Sequence, residues 1–181
     1  MIFPKPYADT VARLRVALGF VLAGAFLWFS DPRPYSLAVG LPVAALGLFL
    51  RAWAAGHLEK DLELAQNGPY ARLRNPLYAG TLTAAAGLAI AARSWILAAA
   101  LAATFVCVYL PVVELEEQHL ACLFPEFQDY ARRVPRLIPR LHPIPAVGKR
   151  FRWALYLRNR EYQALAGFMA SAAVLAWKVL K

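Results

Sequence analysis

Five long apolar stretches constrain the fold of this chain more than any other feature of its sequence. They lie at roughly residues 11–29, 35–55, 76–92, 94–113 and 162–180. A helix needs ~17–25 mainly apolar residues to cross the hydrocarbon core of a bilayer. The chain is 60% hydrophobic, whereas soluble domains are only about half apolar. We therefore predict an all-α, polytopic membrane protein with about five transmembrane helices, which form a single domain over residues 1–181.

The cationic residues are distributed unevenly between the segments that connect these stretches. If the N-terminus is cytoplasmic, 16 of the 20 Lys and Arg residues fall on the cytoplasmic side. The other four, Arg33, Arg93, Lys178 and Lys181, fall outside. This asymmetry follows the positive-inside rule. It predicts a cytoplasmic N-terminus, an external C-terminus, and cytoplasmic segments at 56–75 and 114–161. We interpret the membrane as a prokaryotic inner membrane. Basic loops beside anionic lipids explain the net charge of +9, so nucleic acid is not an expected partner.

A cationic loop leads directly into the third apolar stretch. It contains Arg72, Arg74 and Asn75-Pro76. Asn is favoured at a helix N-cap and Pro at the first helical position, so this pattern is typical of a simple helix start. The same geometry also attracts a carboxylate or phosphate, because the first N–H groups of a helix have no internal partner. Both interpretations stay open from the residues alone.

Three acidic residues, Glu114, Glu116 and Glu117, close the fourth apolar stretch. The C-terminal end of a helix disfavours anions, and no Lys or Arg lies within four residues of them. They form a solvated face, meet arginines from the other loop, or bind a cationic ligand. Ionisable groups at a membrane boundary are candidates for function.

Together, the cationic helix start and the acidic helix end suit a zwitterionic ligand. S-adenosylmethionine is one such ligand, because it carries a carboxylate, an ammonium and a sulfonium group. The chain has no GxGxxG nucleotide-binding motif, so a cofactor site would have to be built from membrane helix ends. Composition and spacing do not select this ligand over others. The three histidines lack metal-ligand spacing, and no metal site is predicted.

The sequence motifs in these segments resemble those of the isoprenylcysteine carboxyl methyltransferase family and its phospholipid methyltransferase relatives. The resemblance covers about residues 51–140 and rests on a Gly-x-Tyr, an Arg-x-Pro-x-Tyr-x-Gly helix start, a Glu pair and a Val-Pro. Here these are Gly68-Pro69-Tyr70, Arg74-Asn75-Pro76-Leu77-Tyr78-Ala79-Gly80, Glu116-Glu117 and Val134-Pro135, with Phe124, Phe127, Tyr130 and Pro139 as further matches. Asn75 replaces the family's His, and Val112 stands where eukaryotic members have an Arg.

The resemblance implies S-adenosylmethionine-dependent methyl transfer to a lipophilic or membrane-embedded acceptor, and thus partners that are lipophilic small molecules, lipidated substrates or membrane lipids. The implied cofactor-binding residues are Tyr70, Asn75, Pro76, Leu77, Tyr78 and Glu116, and, across an alignment gap, His57, Leu62, Glu63, Leu64 and Ala65. Arg74 is expected to hold the cofactor's carboxylate. Glu117 is the candidate base for an amine or hydroxyl acceptor.

Short external links predict that apolar helices 1–2 and 3–4 pack as hairpins. Prolines at 135, 139, 143 and 145 predict an irregular segment that covers the cofactor, followed by an interfacial helix or a solvated linker over 149–160. Two other functions remain as alternatives. One is an NADPH-dependent membrane reductase, and the other is a non-catalytic membrane lipid-binding protein.

Overall fold

The computed structural model describes residues 3–145 and 150–181, and every regular element within these ranges is a helix. The helices are α1 (Lys5–Phe29), α2 (Pro34–Ala55), α3 (Pro76–Ala92), α4 (Trp95–Thr104), α5 (Leu110–Leu123), α6 (Phe127–Arg133), α7 (Trp153–Arg158) and α8 (Tyr162–Leu180). A π-helical turn, Phe105–Tyr109, joins α4 to α5, and a 3-10 turn, Gly68–Ala71, precedes α3. The predicted all-α fold is confirmed.

Four of these segments are long and apolar enough to cross a membrane: α1, α2, the continuous helix Trp95–Leu123, and α8. The remaining predicted span, the third along the chain, is α3. It is apolar but only 17 residues long, at the short end of the transmembrane range. The bundle exposes large apolar side chains, such as Phe20 and Trp28 of α1. Lipid, rather than water, suits such a surface. The chain is an integral membrane protein.

Helices α2 and α3 form the closest helix pair of the bundle. Their contact is lined by Gly40 and Gly47 on α2 and by Gly80 and Gly87 on α3. A Cβ atom at Gly80 would lie 2.7 Å from the carbonyl oxygen of Gly47. Small residues are what allow membrane helices to approach this closely.

The prediction that α1 pairs with α2 is wrong. Helix α1 packs mainly against α4, the π-helical turn and α5, because the glycine face of α2 is already covered by α3. The predicted α3–α4 hairpin does form. The connection after α1 is fixed by a hydrogen bond from the Asp31 N–H to the Ala92 carbonyl, at 2.9 Å.

The π-helical turn reflects Pro111, one residue into α5. Proline has no N–H and its ring crowds the carbonyl of the residue four positions earlier, which is Cys107. The Cys107 carbonyl instead accepts a hydrogen bond from the Tyr7 hydroxyl of α1, at 2.6 Å. This bond ties α1 to the helix that carries Glu114, Glu116 and Glu117 in its middle.

The irregular segment 134–145, which we call the strap, lies along the loop before α3. The N–H groups of Arg74 and Asn75 donate to the carbonyls of Pro135 and Arg136, at 2.9 and 3.2 Å, and the Ile144 N–H donates to Ala71 at 3.0 Å. The strap is not helical, as the sequence predicted from its prolines, and its backbone groups bond to the loop instead of to one another.

The helix predicted over 149–160 is shorter than expected, since α7 has only six residues; residue 149 lies outside the described residues. The Arg152 N–H is bound to the Gly56 carbonyl at 2.9 Å, so the chain before α7 is held against the end of α2. Arg160 has a φ of 57°, which ends the helix because an L-residue in this left-handed conformation cannot continue it.

Candidate functional site

A cavity of about 680 Å³ lies where the loop before α3, the start of α3 and the middle of α5 come together. Clefts of about 300–1,000 Å³ are typical for small molecules and cofactors. Every predicted site residue except His57 and Leu62 lines it. These lining residues are Glu63, Leu64, Ala65, Tyr70, Arg74, Asn75, Pro76, Leu77, Tyr78, Glu116 and Glu117.

The start of α3 presents open backbone donors to this cavity. Asn75 occupies the N-cap position and Pro76 the first helical position, but the Asn75 side chain does not cap the helix. Its Nδ2 donates instead to Glu117 Oε1 at 2.8 Å and to the Arg136 carbonyl at 3.4 Å. Asn75 thus stands at the N-cap position, but its side chain serves the contact with Glu117 and not the cap. In the described part of the chain, the N–H groups of Leu77 and Tyr78 have no partner, and such groups bind anions well.

Glu117 is buried at the centre of an ion-pair cluster. Arg136 of the strap donates from Nε and Nη2 to Glu117 Oε2, at 3.0 and 2.7 Å. Arg74 Nε lies 3.3 Å from Oε1, an ion-pair distance without a hydrogen bond, and Oε1 accepts a hydrogen bond from Asn75. Both carboxylate oxygens are thus engaged. Glu117 therefore fixes the loop, α5 and the strap relative to one another.

Glu116 has a different environment from its neighbour. It is half-buried, lines the cavity and interacts with the hydroxyl of Tyr78. Within residues 3–145 and 150–181, no guanidinium or ammonium group pairs with it. The cavity wall therefore combines the open donors of α3 with an acidic group that is available to a ligand.

Two tyrosines that line the cavity, Tyr70 and Tyr130, also stabilise its wall. Tyr70 is buried and packs with Ala54 and Ala65, and the Tyr130 hydroxyl of α6 donates to the Tyr70 carbonyl at 2.8 Å. Burial raises the pKa of Tyr70 and of Tyr130 well above the usual range for tyrosine. Both rings are neutral supports at physiological pH.

His57 and Leu62, which were predicted to contact the cofactor, do not line the cavity. The His57 ring nitrogen Nδ1 lies 2.9 Å from the Trp53 carbonyl, and the ring packs beneath Gly68. A Cβ atom at Gly68 would lie 2.8 Å from this ring, and Gly68 also has a φ of +54°, so this position requires glycine. His57 shapes the loop, and Leu62 is 63% exposed.

The sequence did not single out a second ion pair at the cavity, between Arg51 of α2 and Glu161 before α8. Arg51 Nη2 and Nε lie 2.7 and 2.9 Å from the two carboxylate oxygens of Glu161. Glu161 is buried and lines the cavity, as does Asn159. The two partners are 110 positions apart, and no local pattern signals such a pair. A lone Arg near the end of an apolar stretch was the only available signal.

Comparison with known proteins places residues 35–126 within the family model described as phospholipid methyltransferase. The chain is 37% identical over 136 residues to the cobalt-zinc-cadmium resistance protein CzcN of Cupriavidus metallidurans, covering 70% of this chain and 62% of that protein. It is 39% identical over 153 residues to the nickel-cobalt-cadmium resistance protein NccN of Alcaligenes xylosoxydans xylosoxydans, covering 76% and 70%. No solved structure matches. The chain thus spans less than two thirds of the length of the first relative.

Proposed function

Since the chain belongs to the phospholipid methyltransferase family, we propose that it transfers a methyl group from S-adenosylmethionine to a lipophilic or membrane-embedded acceptor. The observation that carries this proposal is the shared cavity wall, in which the open N–H groups of α3 and the available carboxylate of Glu116 occur together. A zwitterionic ligand needs both. The family membership confirms the resemblance that the motifs indicated.

The residues fit the cofactor in the following way. The N–H groups of Leu77 and Tyr78 would hold its carboxylate, and Glu116 would take its ammonium group or a ribose hydroxyl. The Tyr78 ring, beside Glu116, suits a sulfonium cation. When bound, the cofactor supplies an electrophilic methyl group. The protein would contribute mainly proximity and orientation.

The expected roles of Arg74 and Glu117 change with the geometry. Each is paired with the other, so Arg74 is held in place by Glu117 and adds positive potential to the cavity that it lines. We assign neither residue a proton-transfer step. They are positioning residues that hold the α3 start and the strap around the cavity.

An apolar acceptor is supported by the rest of the lining. Val112, Leu115 and Leu120 of α5 face the cavity, and Val112 occupies the position of the Arg found in eukaryotic members. The acceptor therefore need not be a carboxylate. The two relatives are named for resistance to cadmium and other metals, but among the described residues no group of three or more His, Cys, Asp or Glu could hold a metal ion. We do not extend metal binding to this chain.

The inner-membrane orientation belongs to the same proposal, and the ends of the helices support it. The cations assigned to the outside cluster at one end of the bundle. Arg93 pairs with Asp31, and the Lys178 ammonium donates to the Leu27 and Ser30 carbonyls at 2.7 and 2.8 Å. The cavity lies with the other group of cations, on the side proposed to be cytoplasmic.

Labelling of single cysteines tests this orientation. In a background without Cys107 and Cys122, a cysteine at the exposed position Lys60 should react with a membrane-impermeant maleimide only after the cells are opened. A cysteine at Arg33 or Lys181 should react in intact cells. The reverse pattern would contradict the orientation.

The direct test of function is a methyl-transfer assay. The purified protein is incubated with S-adenosylmethionine that carries tritium in its methyl group and with either a membrane lipid extract or a soluble metabolite pool. We expect label in the lipid fraction. Label confined to the soluble pool would refute the lipophilic acceptor, and no label in either fraction would refute methyl transfer. The NADPH reductase alternative predicts NADPH oxidation in place of labelling, and a lipid-binding protein predicts neither.

A further inference from the structure

A second, smaller cavity opens on the flank of the bundle between α2 and α8. Its volume is about 170 Å³, and we call it the α2–α8 groove. Its lining consists of Leu48, Phe49, Ala52, Tyr156, Leu165 and Glu161. Apart from Glu161 and the Tyr156 hydroxyl, this lining is apolar. Because α2 and α8 are both long and apolar enough to span the membrane, the groove opens on a surface that would face lipid, close to the membrane boundary.

Glu161 is the residue that the groove shares with the main cavity. It is buried, and its charge is matched by Arg51 through two hydrogen bonds. Arg51 also donates to the Leu77 carbonyl at 3.3 Å, in the first turn of α3. One ion pair thus connects the lipid-facing groove to the helix start that forms the proposed cofactor site.

Burying an ion pair at this place costs free energy of folding. Charged groups at a membrane boundary lose hydration, and their mutual attraction only partly compensates for that loss. A purely structural contact between α2 and α8 would be served as well by apolar packing. The charged pair thus stands at the junction of the two cavities, where apolar side chains would pack at least as well.

We propose that the α2–α8 groove binds the alkyl chain of the acceptor lipid, and that Glu161 with Arg51 positions the acceptor's polar end where the groove meets the main cavity. This inference rests on the proposed function. It adds the side of the bundle from which the acceptor lipid enters and the subsite that binds the lipid's alkyl chain. The apolar lining, the surrounding bilayer and the shared wall at Glu161 together select a lipid chain as the occupant.

Two substitutions that fill the groove from opposite walls test the chain subsite. Ala52→Leu narrows it from α2 and Leu165→Trp from α8, whereas Leu46→Trp adds bulk to an exposed position of α2 outside the groove and serves as the control. The rate of methyl transfer to vesicles of total membrane lipid is measured together with the Kd for S-adenosylhomocysteine. Displacing about two methylene groups of the chain should lower kcat/KM for the lipid by about tenfold in both groove variants. The Kd and the control variant should not change.

The outcomes separate the groove from the proposed function. Unchanged lipid methylation in both groove variants would overturn the chain subsite, as would a loss that is matched by weaker S-adenosylhomocysteine binding. If a bulky residue at Ala12, on the α1 side of the main cavity, blocks the lipid while the groove variants do not, entry occurs between α1 and α5 instead. Failure of the wild type to bind S-adenosylhomocysteine would refute the proposed function itself.

Glu161→Gln tests the positioning role, because it keeps the shape of the side chain and removes its charge. Because Glu161 is buried and paired with Arg51 much as Glu117 is with Arg136, the variant should melt at a lower temperature than the wild type. At a temperature where thermal melts show it folded, we expect a higher KM for the lipid, a smaller change in kcat and an unchanged Kd for S-adenosylhomocysteine. An unchanged KM would remove Glu161 from the acceptor site. Loss of S-adenosylhomocysteine binding in this variant would assign the ion pair a structural role alone and would overturn the positioning role.

Discussion

The two neighbouring glutamates of α5 should behave in opposite ways when each is replaced by glutamine. Glu116 faces the cavity and has no cationic partner in the described part of the chain, whereas Glu117 is buried between Arg74 and Arg136. Glu116→Gln should therefore weaken cofactor binding and leave folding intact. Glu117→Gln should destabilise the fold first.

The magnitudes follow from these contacts. Loss of one charge-assisted hydrogen bond to the cofactor costs about 1.5–3 kcal/mol, or about 10–150-fold in affinity. Removal of the charge of Glu117 leaves Arg74, which is 15% exposed, without its counter-charge. Breaking a buried pair in this way costs about 3–5 kcal/mol. In a chain of this size that corresponds to a decrease in Tm of about 6–20 °C.

The affinity for S-adenosylhomocysteine is measured by calorimetry and the Tm by thermal melts, for both purified variants. Each variant serves as the other's control. Unchanged affinity in a folded Glu116→Gln protein would remove Glu116 from the site. Aggregation of that variant would show instead that Glu116 holds the structure together. A Glu117→Gln protein that melts like the wild type would refute the ion-pair argument.

Two further predictions concern packing and pH. Because burial raises the pKa of Tyr70 and Tyr130, the folded state keeps protons that the unfolded state releases above pH ~10, so stability should fall as the pH rises beyond that value. Tyr130→Phe should cost about 1 kcal/mol at neutral pH by removing the hydroxyl bond to Tyr70, and should reduce the alkaline loss; melts from pH 8 to 11 check both, and a Tm independent of pH would contradict the account. A Cβ atom at Gly87 would overlap the α2 backbone, whereas one at Gly19 would meet nothing within 4 Å, so Gly87→Ala should cost about 1–3 kcal/mol or more, while Gly19→Ala, inside α1, should be neutral or stabilise by up to about 1 kcal/mol. Equal stability of the two alanine variants, measured by thermal melts in detergent, would show that the α2–α3 contact yields more easily than the geometry implies.

Much of the fold could be predicted from the sequence because helix formation in a membrane depends mainly on local composition. The apolar stretches locate the helices, and Pro76, Pro125 and the prolines after residue 134 locate their limits. The partner of α1 could not be predicted in this way. Helix pairing depends on which faces are small enough to meet, and the glycines of α2 are matched by those of α3.

The candidate site likewise has a part that the sequence could predict and a part that it could not. Its Asn-Pro helix start and its glutamates stand in short motifs, so the sequence locates them. The partners of Glu117 and Glu161 lie 19 and 110 positions away, and several arginines in the same segments carry equal charge. Only the folded backbone selects Arg136 and Arg51. This is also why a free carboxylate and a paired one, adjacent in sequence, could not be distinguished beforehand.

The central claim is that the α3 start and Glu116 form a site for S-adenosylmethionine, and its most direct test is calorimetry of the purified wild-type protein with S-adenosylhomocysteine and NADPH side by side. We predict saturable binding of S-adenosylhomocysteine, weakened by Glu116→Gln, and no binding of NADPH. Binding of NADPH without binding of S-adenosylhomocysteine would contradict the account and would favour a membrane reductase.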